Sequence, residues 1–273
     1  MLILLVKVIA LVGFGVMFVW TLITGREAVP LTERTQIITV SEEDAATLGA
    51  QAFQEVLSQN RVIRSGPQSE LVARVVGRIA RVADDITESD YAWEAVLLES
   101  PEANAFALPG GKIAVLSGLL QVTRTEDQLA AVIGHELAHV LARHGAERLT
   151  QQKLAETGRL AVAIAIGDLD PAAQGAILGA LGLGAQFGVL MPFSRIHETE
   201  ADRIGLILMA RACFDPRGAV EVWENMAQRG GGGPPEFLST HPSHGSRIEA
   251  LNTALEEAQG EAGGADCPNA GNV

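Results

Sequence analysis

Leu2 to Thr24 is a continuous apolar run broken by one charge, Lys7. As a helix it is long enough to cross a hydrocarbon layer of about 30 Å. Beyond it the pattern becomes amphipathic. Ser41-Glu42-Glu43-Asp44 has the form of a capped helix start, and Leu48, Ala52, Phe53, Val56 and Leu57 recur at helical period. A second helix is predicted through Leu71, Val72, Val75, Val76, Ile79 and Ala80. The period then shortens to that of strands. Tyr91 to Leu98 reads as one strand, and Ala105 to Leu108, Pro109-Gly110-Gly111 and Lys112 to Leu116 read as strand, turn, strand. Helical spacing returns with Leu129, Val132, Ile133, Leu137, Val140 and Leu141, the buried stripe of a helix that Thr125 and Gln128 can cap. The expected class is α+β, mostly helical, with a small β-hairpin beside this helix and a membrane anchor at the N-terminus.

The anchor run exceeds the core of about seven to fifteen residues typical of a cleaved signal, and Ile23-Thr24-Gly25 is a poor cleavage site. Residues 1–25 are therefore expected to be an uncleaved signal-anchor, N-terminus inside, with the bulk of the chain exported to the periplasm. Residues 26–259 form the expected soluble domain, and 260–273, in which Val273 is the one large aliphatic side chain, an expected disordered tail. A second weakly charged stretch, Leu160 to Phe193, carries Asp168, Asp170, Pro171 and five glycines from Gly175 to Gly188. These divide it and favour close packing in a core over a second span. Gly230 to Pro235 marks a loop, and the last helix is expected to start at Ser246 with Glu249 in capping-box position.

A formal charge of −13 is the wrong sign for nucleic acid. Two cysteines, Cys213 and Cys267, exclude a disulfide-dense scaffold and any four-cysteine metal site. Their spacing leaves a bridge possible, but a free buried Cys213 with a solvated Cys267 is the reading adopted. A metal, if bound, must be held by His and carboxylate.

His135-Glu136-Leu137-Ala138-His139 provides such a set. The two His are separated by about 40° around the helix, so both can reach one cation, and Glu136 lies about 100° from His135, within reach of a metal-bound water. Two His and a Glu in a buried helix without a partner would be costly, so one Zn2+ is expected. His144 would lie about 180° round the same helix and points away. A catalytic zinc needs a third protein ligand, and Ser194 to Asp202 offers one. Glu198 and Asp202 share a face, so that Glu198 can bind metal while Asp202 accepts the outer N–H of a ligand His. Glu200 lies on another face.

Together, H-E-x-x-H and Ser194-Arg195-x-x-Glu198-x-Glu200-Ala201-Asp202 resemble the zinc peptidase family M-forty-eight, nearest its single-domain, Oma-like or LoiP-like branch. The likeness extends to Leu48-Gly49-Ala50-Gln51, Asn104 to Gly111, Gly134 to Gly145, Thr240-His241-Pro242 and Arg247. It implies a zincin-like fold, His135, His139 and Glu198 as ligands, and His241 and Arg247 approaching the site. The expected activity is zinc-dependent endopeptidase cleavage of unfolded or damaged envelope proteins, Glu136 acting as base. Asn104, Ala105, Phe106 and Ala107 would form an edge strand that pairs with substrate backbone, largely blind to sequence. A catalytically quiet chaperone or scaffold is the alternative, against which the intact Glu136 counts. Three roles are open for His241: occupying the metal's fourth position, donating with Arg247 to an oxyanion, or packing.

Overall fold

The computed structural model describes residues 2–87, 91–185, 191–228, 241 and 247–262. Helix α1 (Leu2–Thr24) is followed by short strands β1 (Arg26–Ala28) and β2 (Thr35–Ile37), then α2 (Glu42–Gln59), β3 (Val62–Ile63), α3 (Pro67–Thr87), β4 (Glu94–Leu98), β5 (Ala105–Leu108) and β6 (Lys112–Leu116). A 3-10 turn, Ser117–Gln121, leads into α4 (Glu126–Leu141). After it come α5 (His144–Ala165), α6 (Pro171–Ala185), α7 (Met191–Arg211), α8 (Arg217–Gln228) and α9 (Arg247–Ala262). The chain divides into two compact units, one of Met1–Val29, Glu33–Ser41 and His144–Ile196, the other of Pro30–Thr32, Glu42–Arg143 and His197–Val273.

The second unit holds a four-stranded sheet of order β3-β4-β6-β5, in which β4 and β6 run parallel and the other pairs antiparallel. The hairpin forms in the expected place, with Ala105 opposite Val115 and Leu108 opposite Lys112. Gly110 and Gly111 make its turn at φ of 80° and 79°, a region that side chains disfavour. The parallel partner and β3 were not foreseen. Strand β4 starts at Glu94 rather than Tyr91, because the chain still bends there, Trp93 N donating to Tyr91 O at 2.8 Å. Central β6 is almost wholly buried from Ile113 to Leu116, as fits a strand covered on both faces.

Helix α4 packs between α3 and α8 and buries nearly every residue. Thr125 caps it by accepting from Gln128 N (3.2 Å), while Gln128 Oε1 reaches back to Arg124 N (2.8 Å). The helix ends at Leu141 and Arg143 turns left-handed, at φ 54°. His144 therefore heads α5 instead of continuing α4, which corrects the assumption that both lie on one helix.

In the first unit α1 packs along α5, and Lys7 Nζ reaches Asp168 Oδ2 (2.5 Å) and Ala165 O (3.1 Å). Arg34 pairs with the buried Glu147 at 2.8 Å. Most large α1 side chains are exposed, Leu4 and Trp20 at 66% and 67%. Asp170 accepts from Ala172 N and Ala173 N and so caps α6, with Pro171 leading the helix. That break splits the long apolar stretch. The 15 residues of α6 rise about 22 Å, short of a bilayer core. Among the described residues α1 is the one helix long and apolar enough to cross a membrane.

Cys213 is not a free thiol, a correction to the adopted reading. Cys267, the Gly230 to Pro235 loop, Ser246 and the tail beyond Ala262 lie outside the described residues; α9 itself continues past Gly260.

Candidate metal centre

Two helices meet backbone to backbone beneath the site. A Cβ on Gly205 of α7 would lie 2.9 Å from His135 N, and one on Gly134 of α4 would lie 3.0 Å from Gly205 O. This contact sets His135, Glu136 and His139 of α4 against Glu198 and Asp202 of α7. Gly205 leaves little trace in the sequence, a lone glycine in the apolar helical run Ile204-Gly205-Leu206.

One ligand atom from each of His135, His139, Glu198 and His241 lies within 4.8 Å of the others. His135 Nε2 is 3.1 Å from both His139 Nε2 and His241 Nδ1, and 3.3 Å from Glu198 Oε2. Glu198 Oε1 is 3.6 Å from His139 Nε2, and its Oε2 is 3.0 Å from His241 Nδ1. Three ring nitrogens and a carboxylate converging on one point need a proton or a cation between them, and imidazole nitrogen with carboxylate oxygen is a zinc donor set. The residues present fit a single zinc ion.

Behind the ligands, Asp202 Oδ1 lies 2.9 Å from His135 Nδ1, so the acidic side chain can fix the tautomer that leaves Nε2 free. Arg247, 5% exposed, donates to Asp202 Oδ1 at 2.6 Å and to Glu198 Oε2 at 3.3 Å. Its guanidinium lies 3.8 Å above the ring of Trp223, a residue no motif singled out. Glu200 is also buried but accepts from Thr32 Oγ1 at 2.5 Å, away from the cluster.

Glu136 is held by one oxygen. Its Oε2 accepts from Ala107 N on the edge strand β5 (3.1 Å), whereas Oε1 has no hydrogen bond among the described residues and lies 3.3 Å from His241 Nε2. Next to Ala107 in the same strand, Phe106 is partly buried against the sheet core, and Ala105 N donates to the side chain of buried Asn104. Without metal, burial pushes the Glu136 carboxyl up, against the pull of the His241 and His135 charges. Burial also opposes the charge of His135, but hydrogen bonds and negative charge from Asp202 and Glu198 outweigh it and raise its pKa to about 9. Glu198 moves the other way: despite burial, hydrogen bonds from His135 and His241 hold it well below the ordinary carboxylate range.

Comparisons with known proteins agree with this constellation. Residues 68–255 match the model of Peptidase family M48. The chain is 40% identical over 249 residues to the mitochondrial metalloendopeptidase OMA1 of Schizosaccharomyces pombe, covering 89% of this chain and 71% of that one. The human mitochondrial metalloendopeptidase OMA1 is 30% identical over 92% of this chain, which spans half of it. The beta-barrel assembly-enhancing protease of Escherichia coli is 35% identical over 165 residues, 58% of this chain and 34% of its own length. Two ligand-bearing helices, the donor set between them and the matched span leave one conclusion: the chain belongs to peptidase family M48, as a zinc metallopeptidase related to the OMA1 and beta-barrel assembly-enhancing branch.

Proposed function

We propose that this zinc endopeptidase hydrolyses unfolded or damaged proteins of the cell envelope, with His135, His139 and Glu198 as metal ligands and Glu136 as general base. The observation that carries the reading is Glu136 itself: one oxygen pinned to Ala107 N, the other buried without a hydrogen bond among the described residues, beside four converging ligand atoms. Such an atom is expensive to keep unless it has chemistry to do, which weighs against a quiet scaffold. A bound zinc would supply Lewis acidity toward the scissile carbonyl and make the attacking water easier to deprotonate. Glu136 Oε1 takes the proton of the attacking water and passes it to the leaving amine. Asp202 holds His135 in the required tautomer. An extended substrate lies along Asn104 to Ala107 and pairs there through its own N–H groups, since Ala105 N and Ala107 N already donate to Asn104 Oδ1 and Glu136 Oε2; backbone pairing suits sequence-tolerant quality control. The similarity to the beta-barrel assembly-enhancing protease of Escherichia coli supports the envelope setting.

Residues 1–25 anchor the chain, 26–259 form the peptidase domain, and the domain faces the periplasm. The exposed apolar surface of α1 supports the anchor. His241 holds the site latent: its Nδ1 stands among the ligand atoms of His135 and Glu198 and its Nε2 lies 3.3 Å from Glu136 Oε1, so the imidazole would keep an attacking water from the base. His241→Ala then raises basal proteolysis severalfold, read as cleavage of an unfolded substrate at fixed zinc content. The test of the whole reading is degradation of an unfolded protein by the full chain in detergent, with and without zinc, beside Glu136→Gln. Equal cleavage in all three samples would overturn it.

A further inference from the structure

We propose that Trp223 is a positioning residue of the metal centre: its indole face seats the Arg247 guanidinium, which in turn ties down the carboxylates of Asp202 and Glu198. The proposal rests on the reading of His135 and Glu198 as ligands. Trp223 is 7% exposed on α8. That helix is fixed against α4 by polar contacts, Gln128 Nε2 donating to Glu221 Oε2 (2.9 Å) and Asn225 Nδ2 to Gln128 Oε1 (3.1 Å). The ring is therefore carried, buried, on a helix tied to α4. Arg247 arrives on it from the start of α9 with its charged centre 3.8 Å from the ring centroid, a cation–π geometry.

The two terminal nitrogens of Arg247 are committed to Asp202 and Glu198, and Nη2 also lies 3.4 Å from His135 Nδ1. Among the described residues Nε has no hydrogen-bond partner. No described polar group holds that edge of the guanidinium, and the ring face below supplies the support that a hydrogen bond would otherwise give. Without the ring, the guanidinium can rotate out of the plane that reaches both carboxylates. Asp202 then loses the partner that aims it at His135, and Glu198 loses one of its own. Outer partners of metal ligands typically change affinity by roughly 10–100-fold.

The test uses the full chain in detergent and reads the zinc dissociation constant by chelator competition, with the melting temperature of the zinc-free protein beside it. Trp223→Leu, which keeps an apolar side chain but removes the π face, is expected to weaken zinc roughly 10–100-fold. Trp223→Phe, which restores a ring, is expected to recover most of the affinity. Trp223→Leu combined with Arg247→Met should bind no more weakly than Arg247→Met alone, since both act through one contact. If Trp223→Leu does not fold, Trp223→Met takes its place. Wild-type zinc affinity in the folded non-aromatic variant, a loss in Trp223→Phe as large as in Trp223→Leu, or losses that multiply in the double variant would each overturn the platform. A wild type that binds no zinc, or a Glu198→Ala that binds it normally, overturns the ligand reading and the platform with it.

Discussion

Helices α4 and α1 are both rich in apolar side chains, yet one is the most buried helix of its unit and the other is largely exposed. What separates them is the treatment of the polar groups each contains. In α4, Gln128, His135 and Glu136 are all buried, and each is met by a side chain or backbone group from another element. In α1 the single charge, Lys7, reaches off the helix to an exposed Asp168. The glycines differ in the same way. Gly134 faces the backbone of Gly205, whereas Gly13 and Gly15 have nothing within 4 Å of a Cβ. Apolar content alone does not distinguish a protein core from a membrane span; partnered polar groups and backbone contacts do.

Removing the working polar group of α4 gives the largest expected effect. Glu136→Gln should lower peptidase turnover by roughly 10²–10⁴-fold at unchanged zinc content, if Glu136 is the base proposed above and the proposed ligands are left in place. Next comes the facing helix. Glu198→Ala should come out of dialysis without zinc, while Glu200→Ala, whose carboxylate meets Thr32 instead, should retain it; the reverse result by metal analysis would show that the wrong carboxylate was chosen. A smaller effect separates the glycines. Gly205→Ala forces α7 away from His135 and should cost about 1–3 kcal/mol in a thermal melt, whereas Gly13→Ala should change stability by no more than about 0.5 kcal/mol. Equal effects would erase the contrast between the helices. Smallest of all is Lys7→Met. Its partner Asp168 is 74% exposed, so the pair is worth about 0–1 kcal/mol, and the protein should still sediment with membranes after an alkaline wash.

The metal helix was legible because periodicity, a capping residue and a ligand spacing all point the same way along one continuous segment. The placement of Glu198 and Asp202 on one face beside His135 was legible from their spacing. The end of α4 was not, because Arg143 takes a left-handed conformation that its residue type does not advertise. Strand β4 was visible, but its parallel pairing with β6 depends on a partner across a connection and leaves no local trace. Trp223 was missed because a tryptophan on an amphipathic helix looks like ordinary core until the charge above it is seen.

The hydrogen bond from Ala107 N to Glu136 has a further consequence. An outward-facing rung of the edge strand is already occupied, and its occupant is a carboxylate of α4. Glu136 is thereby indexed to the sheet, counted along the strand as a neighbouring residue would be. Side chains alternate strictly along a strand, so inserting or deleting one residue between Asn104 and Ala107 would turn the rung toward β6 and leave the carboxylate without its donor. The segment can therefore vary in chemistry far more freely than in length.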